Sequence, residues 1–179
     1  MAKRIRYSMM PSIFFFTESV AFTLRHKNAL RHWLSACALT ERKQVGTINY
    51  IFCSDKYLRK INKQYLDHDY YTDIITFSSA ASVEMLLPAS GSKLKEKKSV
   101  SKKQHAVIGG DIYISIDRVK ENAKQYQQTV KDELHRVMAH GVLHLCGLKD
   151  KSDDDSKTMR LAENEMLKRR MFHVEHLKS

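Results

Sequence analysis

Two histidines four residues apart, then a glycine, then an acid: the stretch Val137-Met138-Ala139-His140-Gly141-Val142-Leu143-His144-Leu145-Cys146-Gly147-Leu148-Lys149-Asp150 constrains this chain more than any other. Its apolar residues recur at helical spacing, and on a helix positions i and i+4 lie one above the other, so both imidazoles face one point. Gly147 suits the left-handed position that ends a helix and turns the chain back. Asp150 is then expected to reach the same point from outside the helix. His140, His144 and Asp150 are therefore the candidate metal ligands, and three protein donors plus a water is the pattern of a catalytic rather than a structural zinc. An unpaired polar group inside so apolar a helix costs about 1–3 kcal/mol, which one ion would relieve for both rings. In the competing reading each histidine is a core residue bonded to a backbone carbonyl.

Gly141 sharpens the expectation. A glycine within a helix costs about 1 kcal/mol, and its presence beside His140 points to the close approach of another backbone or of a ligand. It also excludes one chemistry, because zinc proteases of the HExxH type carry a glutamate at that position as general base. Cys146 falls across the helix from His144 and reads as core. His173 and His176 form a second pair near the C-terminus, read as a chance feature of a basic tail.

Around this helix the periodicities predict an α+β fold: a mixed sheet of about four strands with packed helices, and the histidine helix buried at the centre. Strands are expected at Ile13 to Phe16, Gly46 to Cys53, Asp73 to Phe77 and Asp111 to Ser115. Helices are expected at Leu24 to Leu39, Lys56 to Tyr65, Arg118 to Tyr126, Val130 to Cys146 and Lys157 to Phe172. With 179 residues, 42% hydrophobic and 28% charged, the chain reads as one domain spanning residues 1–179. No apolar run approaches the roughly 20 residues of a membrane span, and no signal peptide is read at the basic start. Cys37, Cys53 and Cys146 are an odd number at irregular spacing, which suits reduced thiols in a cytoplasmic protein. From Ser79 to Val107 the chain loses periodicity and becomes rich in Ser and Lys, the composition of a mobile basic insertion. The net charge of +11 suits a polyanionic partner, nucleic acid above all.

The histidine stretch resembles the signature H-G-x-L-H-L-x-G-[YF]-D-H of the YbeY family, bacterial metal-dependent endoribonucleases. Two upstream motifs of that family have counterparts: L-N-x-x-Y-R…D-x-P-T-D-V-L-S-F-P in Ile61-Asn62-Lys63-Gln64-Tyr65-Leu66 with Asp69 to Ser78, and L-G-D-I-x-I-S in Gly109 to Ser115. The resemblance implies that His140 and His144 are the first two metal ligands and that Asp150 stands where the family has a third histidine. It also implies that Leu66 replaces an arginine serving the active site, so that another cation must act there; Lys149, Lys151 and His68 are the candidates. As implied function it gives cleavage of single-stranded RNA with one divalent ion, zinc being expected, in ribosomal RNA maturation and ribosome quality control. RNA and the ribosome are the partners so implied, with neither a membrane nor a small-molecule cofactor. A carboxylate ligand would weaken the ion as a Lewis acid and favour harder metals such as manganese. The rival is a non-catalytic ribosome-associated RNA-binding factor with a structural metal, which Leu66 supports. Hydrolysis of a peptide or small molecule is disfavoured by Gly141 and by the basic charge.

Overall fold

The computed structural model describes residues 12–79 and 105–174, with side chains to residue 170. Residues 80–104 of the expected insertion, and the side chains of His173 and His176, lie outside the described residues. The elements run β1 (Ser12–Glu18), α1 (Lys27–Thr40), β2 (Lys43–Cys53), α2 (Asp55–Leu66), β3 (Ile74–Ser78), β4 (Ala106–Ser115), α3 (Ile116–Gln125), α4 (Val130–Cys146) and α5 (Asp153–Val174). The fold is α+β with a mixed sheet in the order β1-β2-β4-β3, in which β1 and β4 flank β2 in parallel and β3 is antiparallel to β4.

Register follows from alternation. Ile48, Tyr50 and Phe52 of β2 are buried on one face, opposite Gly110, Ile112 and Ile114 of β4. A slip of one residue would turn that whole set outwards, and each Ile- or Phe-sized side chain kept from water contributes about 1.5–3 kcal/mol. The main core joins this face to α1, α4 and α5 through Leu30, Trp33, Leu34, Met138, Val142 and Met166. A smaller cluster of Cys53, Leu58, Ile61 and Ile75 seats α2 against the sheet. Polar tips inside the core are satisfied across elements: the Tyr50 hydroxyl donates to the Met138 carbonyl at 2.8 Å and the Trp33 indole N–H to the Met166 carbonyl at 2.8 Å.

Boundaries moved where polar or glycine residues masked an element. α5 starts at Asp153 rather than Lys157 because Ser152 Oγ accepts the Asp155 N–H at 3.1 Å, and three acids fill the first turn, where the helix dipole favours negative charge. β4 starts at Ala106, ahead of the expected Asp111. Gly109 and Gly110 hide its alternation; Gly110 has φ +154°, and a side chain there would collide with the Phe77 backbone of β3.

α4 is capped by Thr129, whose Oγ accepts the Asp132 N–H at 3.0 Å. The helix buries ten of its residues, from Glu133 to Leu145. The atoms nearest Gly141 are side chains of the sheet, not the other backbone that the sequence suggests. A Cβ there would lie 2.8 Å from Ile112 Cγ2 and 3.1 Å from Ile74 Cδ1. The glycine is a packing device: without a side chain, α4 settles onto β3 and β4, and the neighbouring His140 is left at the edge of that contact.

Candidate metal centre and cleft

The last turn of α4 builds half of the centre from local sequence alone. Gly147, at φ +103°, closes the helix with its N–H on the His144 carbonyl, and the Leu148 N–H returns to the Leu143 carbonyl. This paired closure is the Schellman turn. It also brings the Leu148 carbonyl to His144 Nδ1, 3.0 Å away. A carbonyl only accepts, so Nδ1 carries the proton and His144 Nε2 presents a lone pair. The turn then delivers Asp150, whose own carbonyl accepts the Ser156 hydroxyl at 2.7 Å and so is tied to the start of α5.

The other half comes from α5. His140 Nδ1 lies 2.8 Å from Glu163 Oε1, and Glu163 is also bound by Arg136 Nη1 at 3.0 Å. Burial would raise the Glu163 carboxyl, but the His140 and Arg136 bonds and charges outweigh it and hold the group below its ordinary range. Conversely, burial disfavours a charged His140, yet the Glu163 bond and the charges of Glu163 and Asp150 raise the ring's basicity overall. The ionised Glu163 accepts a hydrogen bond from His140 Nδ1–H, so that in the neutral form of the ring the lone pair lies on Nε2. A metal-bound histidine is oriented and made more basic in the same way.

Three donor atoms therefore converge. Asp150 Oδ2 is 3.6 Å from His140 Nε2 and 3.5 Å from His144 Nε2, and the ligand atoms of all three residues lie within 4.8 Å of one another. Those separations are too long for hydrogen bonds, and a cation placed among the three atoms would be within reach of all of them. Ligands about 2.0–2.1 Å from a tetrahedral ion are separated by about 3.3 Å, close to what is seen. The residues fit a divalent metal.

The centre opens on a cleft of about 850 Å³ walled by the segment from Asn62 to Ser78 and by α4 and α5. Of the cations expected from sequence, Lys151 and His68 line this cleft, whereas Lys149 is exposed and is not among the lining residues. Leu66 does line it. Arg136 and Arg160 line it as well; Arg136 is paired with Glu163, while Arg160 and Lys151 have no ion-pair or hydrogen-bond partner among the described residues. Glu133 and Asp73 add carboxylates to the same walls, and burial raises the Glu133 carboxyl above its ordinary range.

Residues 14–171 match the model of the family described as Endoribonuclease YbeY. The chain belongs to the YbeY family. Proteins called Endoribonuclease YbeY from Cytophaga hutchinsonii and Flavobacterium johnsoniae are 47% and 44% identical to it, over 90% and 89% of this chain and 97% of each relative. A Porphyromonas gingivalis protein of the same name is 40% identical over 88% of this chain and 89% of its own. The solution structure of TM1509 from Thermotoga maritima shares the fold, with a TM-score of 0.54 at 22% identity and 93% of both chains covered. YbeY proteins are metal-dependent enzymes, and His140, His144 and Asp150 form the possible donor set found among the described residues.

Within this YbeY chain, sequence reasoning missed Glu163, Arg136 and Arg160. A signal for Glu163 was present. Met159 and Met166 are both 2% exposed and lie four residues before it and three after, so Glu163 is an acid on the apolar stripe of α5. Such a carboxylate needs a buried partner, and a histidine ligand needs an acceptor at its second nitrogen. Arg136 and Arg160 carried no comparable mark, being two cations in a chain with 31 Lys and Arg residues.

Proposed function

We propose that this chain is a metal-dependent endoribonuclease specific for single-stranded RNA, acting in the cytoplasm on maturation of the small-subunit ribosomal RNA 3′ end and in ribosome quality control. The observation that carries the hydrolytic reading is the convergence of His140 Nε2, His144 Nε2 and the Asp150 carboxylate, with both Nδ1 atoms already committed. RNA as the substrate is supported by family membership and by relatives named as endoribonucleases. The +11 charge suits a phosphate backbone, and the free thiols at Cys37, Cys53 and Cys146 suit a reducing compartment.

His140, His144 and Asp150 would hold one divalent ion, which we take to be zinc because two imidazoles and a carboxylate form a known catalytic-zinc donor set. Such an ion polarises a phosphoryl oxygen and lowers the pKa of a bound water towards about 7. The remaining work falls to this chain's own side chains. Glu163 and the Leu148 carbonyl fix the tautomers of the two rings. Lys151 and Arg160 supply positive charge to the phosphate oxygens inside the cleft, with Lys149 a further cation near Asp150 and His68 a polar ring on the far segment. Together they take the place of the arginine whose position Leu66 occupies.

Purified protein with one equivalent of metal, compared with His144→Ala on a single-stranded oligoribonucleotide, tests the reading. Equal cleavage by both would sink it. Leu66 favours a second reading, a ribosome-associated RNA-binding factor whose metal is structural. X-ray absorption on the loaded protein separates the two: four protein donors support the structural role, three donors and a water the catalytic one.

A further inference from the structure

We infer that the ring of Tyr70, stacked on His68 at the edge of the cleft, is a base-binding platform that selects an unpaired nucleotide. The inference rests on the endoribonuclease reading above and assigns part of its substrate specificity. Tyr70 is 56% exposed yet lines the cleft that holds the metal donors. Its ring lies 5.1 Å from the His68 ring, at 26° to it, and its hydroxyl is 3.1 Å from His68 Nδ1. Two aromatic rings therefore form one slab, each restraining the other.

The slab is anchored from below. Asn62, only 2% exposed, donates its side-chain amide to the Tyr70 carbonyl at 3.0 Å, and its own carbonyl accepts the His68 N–H at 3.3 Å. One buried residue thus grips both ends of the His68-to-Tyr70 segment. The backbone is fixed at both ends and the ring is restrained by His68, so less entropy remains to be lost when a flat ligand lands on it.

The surroundings say which flat ligand. The same cleft carries Lys151 and Arg160, without partners among the described residues, and the three-donor centre. A nucleotide matches that arrangement: an apolar π-face for the slab and a phosphate for the cations. Every base has a π-face, so stacking on a ring is tolerant of sequence. In a duplex both faces of an internal base are covered by neighbours, so the platform accepts only unpaired nucleotides. Tyr126 is also 56% exposed and lines the same cleft.

Fluorescence anisotropy of an eight-nucleotide single-stranded RNA, in chelator so that nothing is cut, tests the assignment alongside steady-state cleavage with metal. Tyr70→Ala is expected to weaken binding by about 5- to 100-fold, raising KM with kcat nearly unchanged, while Tyr70→Phe stays within about 2-fold of the parent. An oligonucleotide series with one abasic position is the reading a merely structural role would not move. The parent protein should lose affinity at one abasic position, and Tyr70→Ala should be indifferent to it. If Tyr70→Ala binds within 2-fold of the parent while RNA is still cleaved, the platform is refuted and the endoribonuclease reading stands. If the parent protein neither binds nor cleaves RNA, both fall together.

Discussion

Helix α4 carries three histidines within ten residues, and its two halves use them in opposite ways. His135, in the first half, is 5% exposed, lies 5.6 Å from the Trp33 ring and has its Nδ1 3.0 Å from Arg170 Nη1. A guanidinium only donates, so Nδ1 must accept, and the ring is neutral with its proton on Nε2. Burial and then the Arg170 charge push its pKa down to about 3. In the second half, Nδ1 of His140 and of His144 faces an acceptor, Glu163 or the Leu148 carbonyl. Their Nε2 atoms are left as donors to a cation. The core histidine and the two that face Asp150 therefore differ less in burial than in the partner at Nδ1. His144 is bonded to a backbone carbonyl, as in the competing reading of the sequence, and that bond is what aims its other nitrogen at Asp150.

The largest expected effect breaks the ligand half of this contrast. His144→Ala should lose the bound ion and reduce cleavage at least about 100-fold, with the fold intact by circular dichroism. His135→Ala should do the reverse, lowering stability by about 1–3 kcal/mol while metal analysis still finds one ion per chain. A His135 variant that loses the metal as completely as His144→Ala would erase the distinction.

Next in size is the acceptor itself. Glu163→Gln keeps the shape at His140 but removes the charge, and metal affinity in a competition titration should fall by about 10- to 100-fold. An unchanged affinity would mean that Glu163 is a structural partner of Arg136 and nothing more.

The core half is exposed by pH. Because the folded pKa of His135, about 3, is below its unfolded value of about 6.5, the unfolded chain takes up the proton first. The stability associated with His135 is thus complete above about pH 6.5 and is lost as pH falls towards 3. Denaturant unfolding at pH 7 and pH 5 should differ by up to about 2 kcal/mol. In His135→Leu that share of the difference should vanish, and an acid limb identical to the parent's would show that carboxylates alone produce it.

The smallest effect concerns the turn. Gly147→Ala places a side chain at φ +103° with nothing within 4 Å to clash, so only backbone strain is added, about 1–2 kcal/mol. Tm should fall by a few degrees while metal stoichiometry is retained, because the Leu148 carbonyl still has His144 to receive.

What was readable from the sequence was what local geometry decides. The i, i+4 pair, the glycine closure and the return of Asp150 all lie within eleven consecutive residues, where helical spacing and one left-handed turn leave few alternatives. The sheet was readable where alternation was unbroken, as in Ile48, Tyr50 and Phe52, and blurred where Gly109 and Gly110 interrupt it. Tertiary structure alone decided the rest. Glu163 reaches His140 across 23 residues and Arg170 reaches His135 across 35, and no local spacing says which histidine meets an acid and which a guanidinium. Lys151, Arg160, His68 and Tyr70 share one cleft only because α5 and the segment after α2 are both packed beside α4. Sequence set which side chains can bind an ion; the packing of α5 on α4 chose which nitrogens are free to do so.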